Sequence, residues 1–278
     1  MLAPAETRDT GGPTTEIPDL PTLAQILDRF DPATGFDVPA SWRQGRTAFG
    51  GLSAALALQT ALRTAPSALP PLKSAHIGFI DPADGSLRFE AQVLRQGKSA
   101  TSIGVDCLAD GQVALRAALL FAQPRPSRIA HDFLPARPAV VGPDHATPIA
   151  DSAASPAFVA NFDMRLAGGA LPLSAATDPE LLVWARHRDP GDVDPSVALV
   201  ALGDCLPPAA MTCFSEPAPV SSMTWTLDFP QPASAGDWFL LRSASRHAAD
   251  GYSLQDMQIW DTAGRLVLWG RQTVALYA

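Results

Sequence analysis

Alternating apolar and polar residues in two long runs of the chain predict two antiparallel β-sheets. The first run covers residues 74–123, where two Ala-Asp-Gly turns are typical of hairpins. The second begins near residue 220 and ends with the segment RLVLWGRQTVALYA. An apolar, helix-forming stretch precedes each run, one from Leu52 to about Thr64 and one from Asp194 to Met211. The pattern therefore predicts a helix followed by antiparallel strands, twice over.

The two runs match each other, which indicates an internal repeat. Phe79-x-x-Pro82 corresponds to Phe229-x-x-Pro232, and Gly97 corresponds to Gly251, at nearly the same separation. The first predicted helix is apolar on most sides, so we expect other structure to enclose it. A sheet wrapped around one apolar helix is the hotdog arrangement. We therefore predict an α+β double hotdog fold, with two tandem repeats that each hold a long helix wrapped by an antiparallel sheet.

Proline and small polar residues are concentrated in two segments, which the composition therefore predicts to lie outside the two repeats. The predicted division is a mobile N-terminal tail over 1–20, a first hotdog repeat over 21–122, a proline-rich surface linker over 123–156, and a second repeat over 157–278 with the candidate catalytic residues. Shorter elements are also predicted: a helix over 22–30, a strand opening at 41–43, and strands over 158–166 and 181–189.

The composition excludes several classes of partner. With 47% hydrophobic and 17% charged residues, the chain has enough apolar material for a sizeable core. The net charge of −8 argues against a nucleic-acid partner. No apolar run approaches the ~20 residues of a membrane span, and the N-terminus lacks the apolar core of a signal peptide. Cys107, Cys205 and Cys213 show no CxxC spacing, which favours a reducing, cytoplasmic compartment without a zinc site.

One carboxylate stands out in the second helical stretch. Asp194 followed by Pro195 is a helix start, since the side chain caps free N–H groups and proline suits the first helical position. At helical spacing, Asp204 shares a face with apolar residues, namely Val197, Val200, Ala201 and Pro208. Burial raises the pKa of such a carboxyl and makes it a candidate general base. The alternative, an Asp at a helix edge bonded to local backbone, stays open.

Six segments resemble the type II acyl-CoA thioesterase family, from about residue 35 to the end of the chain. In the first half they are AFGGLSAALALQTAL, SAHIGFIDP and VLRQGKSATSIGV; in the second half they are GDCLPPA, SSMTWTLDF and QIWDTAGRLVLWGRQ. The resemblance implies a double hotdog fold and hydrolysis of fatty acyl-CoA to free fatty acid and CoA. In that family an Asp, a Thr or Ser and a Gln hold the attacking water.

Carried onto this sequence, the resemblance implies Asp204 as the base, Gln272 as the amide and Ser222 as the hydroxyl. The family commonly has Thr at the hydroxyl position, and Thr224 competes with Ser222 if the register differs by two. Independently, Gln272 falls on an apolar row of the last strand, where an amide needs partners. The mechanism that follows is direct hydrolysis, with Asp204 taking a proton from water and no metal or other cofactor.

Substrate contacts are predicted at the start of the first helix and on nearby cations. Gly50 and Gly51 are candidates for holding the oxyanion with backbone N–H groups. The cations are candidates for the CoA phosphates, although solvated surface charges are an open alternative. They are Arg43, Arg46, Arg95 and Lys98. Exposed sheet edges in such folds often pair, so a homo-oligomer is also an open expectation.

Three other functions compete with hydrolysis as interpretations of the sequence. Gly51 to Ala55 is similar to the nucleophile elbow of serine hydrolases around Ser53, but it lacks the second glycine and a parallel sheet. A hotdog dehydratase would need a catalytic His, and the predicted helices contain none. A non-catalytic acyl-CoA or lipid-binding protein remains an alternative, because Ser replaces the usual Thr.

Overall fold

The structure is a computed structural model that describes residues 20–150, 152, 155–189, 191–233 and 235–278. Most of the predicted tail, residues 1–19, lies outside this range. In the described residues, no helix is both long enough and apolar enough to cross a membrane.

Fourteen strands form within the described residues. They are β1 Phe36–Asp37, β2 Arg43–Gln44, β3 Thr47–Ala48, β4 Leu72–Phe79, β5 Ser86–Gln96, β6 Ala100–Ala109, β7 Gln112–Ala122, β8 Thr147–Pro148, β9 Phe162–Gly169, β10 Glu180–His187, β11 Val220–Asp228, β12 Phe239–Ala249, β13 Tyr252–Asp261 and β14 Leu266–Leu276. Twelve of them build one antiparallel sheet in the order β1-β5-β6-β7-β4-β11-β14-β13-β12-β10-β9-β8, and β2 pairs with β3 separately.

The sheet order is mirrored about its centre, where β4 pairs with β11. Outward from this pair the first half continues with β7, β6 and β5, and the second half with β14, β13 and β12. At the centre, Gly78 faces Thr224 and Ser74 faces Asp228. The matching runs of the sequence therefore become two equivalent sets of four strands within one continuous sheet.

The three α-helices of the described residues differ in length. They are α1 Leu23–Arg29, α2 Gly50–Thr64 and α3 Pro195–Gly203. The side chains of α2 are almost all buried, as expected for a helix enclosed by a sheet. The second-half helix has only nine residues, so the prediction of a long helix in each repeat is not confirmed. Pro207 and Pro208 follow Asp204, and proline disfavours helix in the residue before it, which explains the early end.

Local structure departs from the sequence prediction at several element ends. The helix expected from Leu52 begins two residues earlier, because Gly50 and Gly51 form the first turn of α2. Residues 40–42 and 157–161 form short 3₁₀ helices where strands were predicted. Side-chain bonds between distant segments hold these turns. The Asn161 amide donates to the Ser41 carbonyl at 2.6 Å, and the Trp42 indole N–H donates to the Pro21 carbonyl at 2.8 Å.

The proline-rich segment between the halves is held against the second-half sheet. Trp184 of β10 donates its indole N–H to the carbonyl of Val141 at 2.8 Å, and Trp260 of β13 donates to that of Pro135 at 3.1 Å. Both indoles belong to a small buried cluster separate from the main core. A long segment without regular structure thus finds fixed partners for its carbonyl groups.

Candidate active site

Asp204 lies where the C-terminal end of α3 approaches the N-terminus of α2. It is the C-cap of α3, with φ −101° and ψ 8°, so it follows the helix instead of lying on its face as the sequence predicted. Its carboxylate reaches the N-terminus of α2, where the Gly51 backbone N–H donates a hydrogen bond to it. The free N–H groups and positive end of a helix dipole favour an anion at such a place.

The two glycines at the start of α2 allow this approach. A Cβ added to Gly50 would lie 2.7 Å from the Asp204 Oδ2. A Cβ added to Gly51 would lie 2.6 Å from the Ala201 carbonyl oxygen of α3. Both distances are shorter than real Cβ contacts, so residues with side chains would push the helices or the carboxylate apart.

Gln272 is the direct side-chain partner of this carboxylate. It lies on β14 with only 2% of its surface exposed, and its Nε2 donates to the Asp204 Oδ1 at 2.7 Å. In the sheet register it faces Trp225 of β11 on one side and Gln255 of β13 on the other. The predicted pair of Asp204 and Gln272, which lie far apart in sequence, is therefore brought together.

Gln255 is the third side chain of this hydrogen-bonded group, and the sequence patterns did not predict its role. It is 1% exposed, its Nε2 donates to the Gln272 Oε1 at 2.8 Å, and its Oε1 accepts from the Ala209 backbone N–H at 2.9 Å. Gln255 carries the same sequence signal as Gln272, namely an amide on an otherwise apolar row of a strand. Its row on β13 includes the buried Met257 and Ile259.

The surroundings change the acidity of Asp204. Removal from water raises the pKa of this carboxyl from 3.8 to about 7, although the hydrogen bonds from Gln272 and Gly51 pull it down. A carboxyl whose pKa lies near neutral pH suits a general base.

The register of β11 separates the two candidate hydroxyls. A bulge between Ser222 and Thr224 breaks the alternation assumed from sequence, so Ser222 pairs with buried Val274 and shares the face of Gln272. Thr224 pairs with Thr273 and is exposed. In the part of the chain that the structure describes, the Ser222 hydroxyl forms no hydrogen bond with Asp204 or Gln272.

The predicted substrate-binding cations lie at the surface of the first half. Arg95 and Lys98 are exposed at the hairpin between β5 and β6, and neither forms an ion pair with another described residue. Arg43 donates its Nε–H to the Val38 carbonyl at 2.8 Å, and the Arg46 Nε lies 3.9 Å from the Oδ2 of the partly buried Asp84. None of the four forms a hydrogen bond or ion pair with Asp204 or Gln272 within the described range.

The alternative nucleophiles are unsuited to attack. The Ser53 hydroxyl is buried inside α2 and donates to the Phe49 carbonyl at 3.2 Å. Burial and the neighbouring Asp204 raise the pKa of the Cys205 thiol, which keeps it in the unreactive protonated form. No cluster of three or more metal-ligating side chains occurs in the described parts of the chain.

An apolar cavity of about 140 Å³ runs beside α3. Ala198, Leu199 and Leu202 line it from the helix, and Phe239 lines it from β12. His187 borders the cavity and donates its Nε2–H to the Ala198 carbonyl at 2.9 Å, since a carbonyl only accepts. Burial lowers the pKa of this imidazole, so it is a neutral part of the wall.

Sequence profiles of known families cover this site and most of the chain. Residues 38–138 match the acyl-CoA thioesterase N-terminal domain, and residues 136–276 match the acyl-CoA thioesterase C-terminal domain. The chain belongs to the acyl-CoA thioesterase family. The resemblance read from the sequence segments is thereby confirmed. Asp204, Gln255 and Gln272 of this thioesterase-family chain lie in the C-terminal match, and Gly50 and Gly51 lie in the N-terminal one.

Solved structures share the hotdog fold with this member of the acyl-CoA thioesterase family. A conserved hotdog protein of unknown function from Alicyclobacillus acidocaldarius is 23% identical, with a TM-score of 0.79 over 88% of this chain and 92% of that one. Acyl-CoA thioesterase II of Mycobacterium marinum is 24% identical, with a TM-score of 0.67 over 82% and 88% of the two chains. Functionally curated proteins give no sequence match.

Proposed function

We propose that this protein hydrolyses fatty acyl-CoA thioesters with a water molecule activated by Asp204. The observation that carries the proposal is the carboxylate itself, which Gln272 and Gly51 hold and whose pKa burial raises to about 7, in a chain of the acyl-CoA thioesterase family. General-base attack of water on a thioester is favoured by a carboxylate whose pKa lies near the working pH, and burial raises the pKa of Asp204 into that range.

In the proposed reaction, Asp204 accepts a proton from water while the water oxygen attacks the thioester carbon. The tetrahedral intermediate then collapses, the carbon–sulfur bond breaks, and the thiolate of CoA leaves with the proton that Asp204 had accepted, which restores the carboxylate. The products are a free fatty acid and CoA. Each atom is accounted for by acyl-CoA and water, so the step needs no further reactant.

Two other side-chain roles belong to this proposal. One Nε2 hydrogen of Gln272 is engaged by Asp204, and the second can bind the attacking water. Its oxygen already accepts from Gln255, so we assign Gln272 mainly a donor role. The hydroxyl of Ser222, on the same face of the sheet, is the proposed second ligand of the water.

The substrate class is supported by the surface around α3. The apolar cavity lined by Leu199 and Leu202 lies on the helix that ends at Asp204, which suits an apolar acyl group. Arg95 and Lys98 remain the proposed contacts for CoA phosphates, as exposed cations without an ion-pair partner among the described residues.

A panel of acyl-CoAs with detection of the released thiol tests this function in the wild type and in Asp204→Asn. We expect the substitution to lower kcat by about a hundredfold or more, the usual scale for loss of a general base. Asp194→Asn is the matched control, because Asn caps a helix as well as Asp and this residue lies at the far end of α3. Its activity should equal that of the wild type.

A single turnover in ¹⁸O-labelled water tests the route. The label should enter the released fatty acid and not the carboxylate of Asp204. Label in a peptide containing Asp204 would mean that the carboxylate attacks the thioester directly and that an anhydride forms. Stabilisation of the protein by acyl-CoA without turnover would instead identify a binding protein.

A further inference from the structure

A buried glutamine next to the proposed catalytic pair has no part in the reaction described so far. Gln255 lies on β13 directly opposite Gln272, and its amide joins Gln272 to the backbone of the segment after Asp204. Buried amides that exchange hydrogen bonds form networks in which each group restricts the orientation of the next. Which end of the Gln272 amide faces Asp204 therefore depends on the direction of the hydrogen bonds in this network.

The direction is set by a group that cannot reverse. The Ala209 backbone N–H only donates, so the oxygen of the Gln255 amide must face it. The Nε2 of Gln255 then faces Gln272, whose Oε1 accepts from it. The Nε2 of Gln272 must consequently face the Asp204 Oδ1. Ala209 is the first residue of a 3₁₀ helix, where backbone N–H groups lack partners within the helix.

We propose that Gln255 is a positioning residue that orients the Gln272 amide with its N–H toward Asp204 and so keeps Asp204 in the form that accepts a proton. The inference rests on the proposed function, since it assigns Gln255 its effect through the proposed base. It adds a fourth side chain to the proposed machinery, from a strand that contributed no residue to the predicted site.

If the Gln272 amide had the opposite orientation, it would favour the protonated form of Asp204, which cannot act as a base. Its Oε1 would then face the Asp204 Oδ1, and two oxygens at hydrogen-bond distance tolerate each other only when one carries a proton. A protonated Asp204 cannot take a proton from water. An isolated Gln272 amide could adopt either orientation, because the two ends of the amide are nearly equal in size. The bond from Gln255 removes this freedom.

Two substitutions break the bond in chemically different ways. Gln255→Met keeps most of the side-chain volume without polar groups, and Gln255→Asn keeps the amide but is too short to reach both partners. For each we expect kcat to fall by about tenfold or more with KM within about threefold, because an orientation needed in the transition state is lost. The apparent pKa of kcat/KM should rise above that of the wild type, because a donor to the carboxylate is lost.

Gln258→Met serves as the matched control. Gln258 is also a buried amide on β13, but it pairs with the partly exposed Trp269 and bonds Arg242. Its loss should lower stability without moving the pH profile. The decisive comparison is made in a Gln272→Ala background, where Gln255→Met should change the residual kcat by less than about twofold if Gln255 acts through Gln272.

The outcomes separate this inference from the proposed function. Full activity in Asp204→Asn would overturn both. An inactive Asp204→Asn together with a wild-type kcat and pH profile in either folded Gln255 variant would overturn the positioning role alone. An equal loss of kcat from Gln255→Met with and without Gln272 would also overturn it, because the effect would not pass through Gln272.

Discussion

At the scale of single residues, the site depends on the balance between burial and hydrogen bonding at Asp204. Burial disfavours the ionised carboxylate, and the N–H groups of Gln272 and Gly51 favour it. Burial is the larger effect, and the pKa is raised to about 7. The same balance makes both catalysis and stability depend on pH, in opposite directions.

Activity should therefore rise with pH through the neutral range. A profile of kcat/KM reports groups of the free enzyme, so we expect an ascending limb with an apparent pKa near 7. Steady-state rates between pH 5 and 9 on a soluble acyl-CoA measure it. A profile that is already flat at pH 5 would show that no group with this pKa controls the reaction.

Stability should move the other way over the same range. Because the folded-state pKa of Asp204 exceeds its ordinary value of 3.8, the folded protein holds more protons than the unfolded chain between about pH 4 and pH 7. The contribution of Asp204 to the free energy of unfolding is thus fully present at low pH and is lost as pH rises through 7. Asp204→Asn should lack this dependence, and denaturant unfolding of both proteins at pH 5 and pH 8 measures the difference.

At the scale of elements, sequence patterns predicted the strands well because alternation directly records which side chains face the core. The strands over residues 72–122 and 220–276 follow the expected runs. Element ends were predicted less well, since they depend on contacts between distant segments. Asp204 was expected on a helix face, and the site instead uses the C-cap of a helix that ends before two prolines.

Local sequence patterns predicted some site residues and not others, because the others depend on contacts between distant segments. Asp204 and Gln272 were reached through family resemblance and an unusual amide on an apolar row. Gln255 interrupts its row in the same way, but its significance depends on register with Gln272 and on a bond to Ala209, which no local pattern reveals. The bulge that places Ser222 on the Gln272 face is likewise visible only from pairing of β11 with β14.

The first turn of α2 gives a test at this scale. In Gly50→Ala, the new Cβ would lie 2.7 Å from the Asp204 Oδ2, so the carboxylate must move. We expect kcat to fall by about tenfold or more, since displacement of a base by a fraction of an ångström weakens its contact with water. Gly142→Ala is the control, because a Cβ at that position has open space around it. Equal kcat values for the two variants would show that the Gly50 contact is not needed for catalysis.

At the scale of the whole molecule, the mirrored sheet presents two equivalent frameworks, and the proposed reacting side chains all come from one of them. Each half has the same four strands in the same order from the centre. The contributions to the site are divided unequally: the second half supplies Asp204, Gln255 and Gln272, and the first half supplies the helix N-terminus at Gly50 and Gly51. The two halves are thus both required for one site.

The equivalent positions of the first half lack the reacting groups. When the helices are matched start to start, Gln59 corresponds to Asp204. The match of Phe79 with Phe229 makes Ala75 of β4 equivalent to Trp225 of β11, so the buried Leu119, which pairs with Ala75, corresponds to Gln272, which pairs with Trp225. Gln59 lies within α2, not at its end, so the first half has no carboxylate aimed at a helix N-terminus by this correspondence. An amide or an apolar side chain cannot accept a proton from water as a carboxylate does.

We therefore predict one working site per chain. Calorimetric titration of the full chain with a non-hydrolysable acyl-CoA analogue should give one equivalent per chain, and Asp204→Asn should remove nearly all turnover because no second base takes over. Two equivalent sites in the titration, or a residual rate close to half that of the wild type in Asp204→Asn, would show that the first half also catalyses. The asymmetry has a physical origin: a second buried carboxylate would cost stability above its pKa, and one base is enough for the hydrolysis of one thioester.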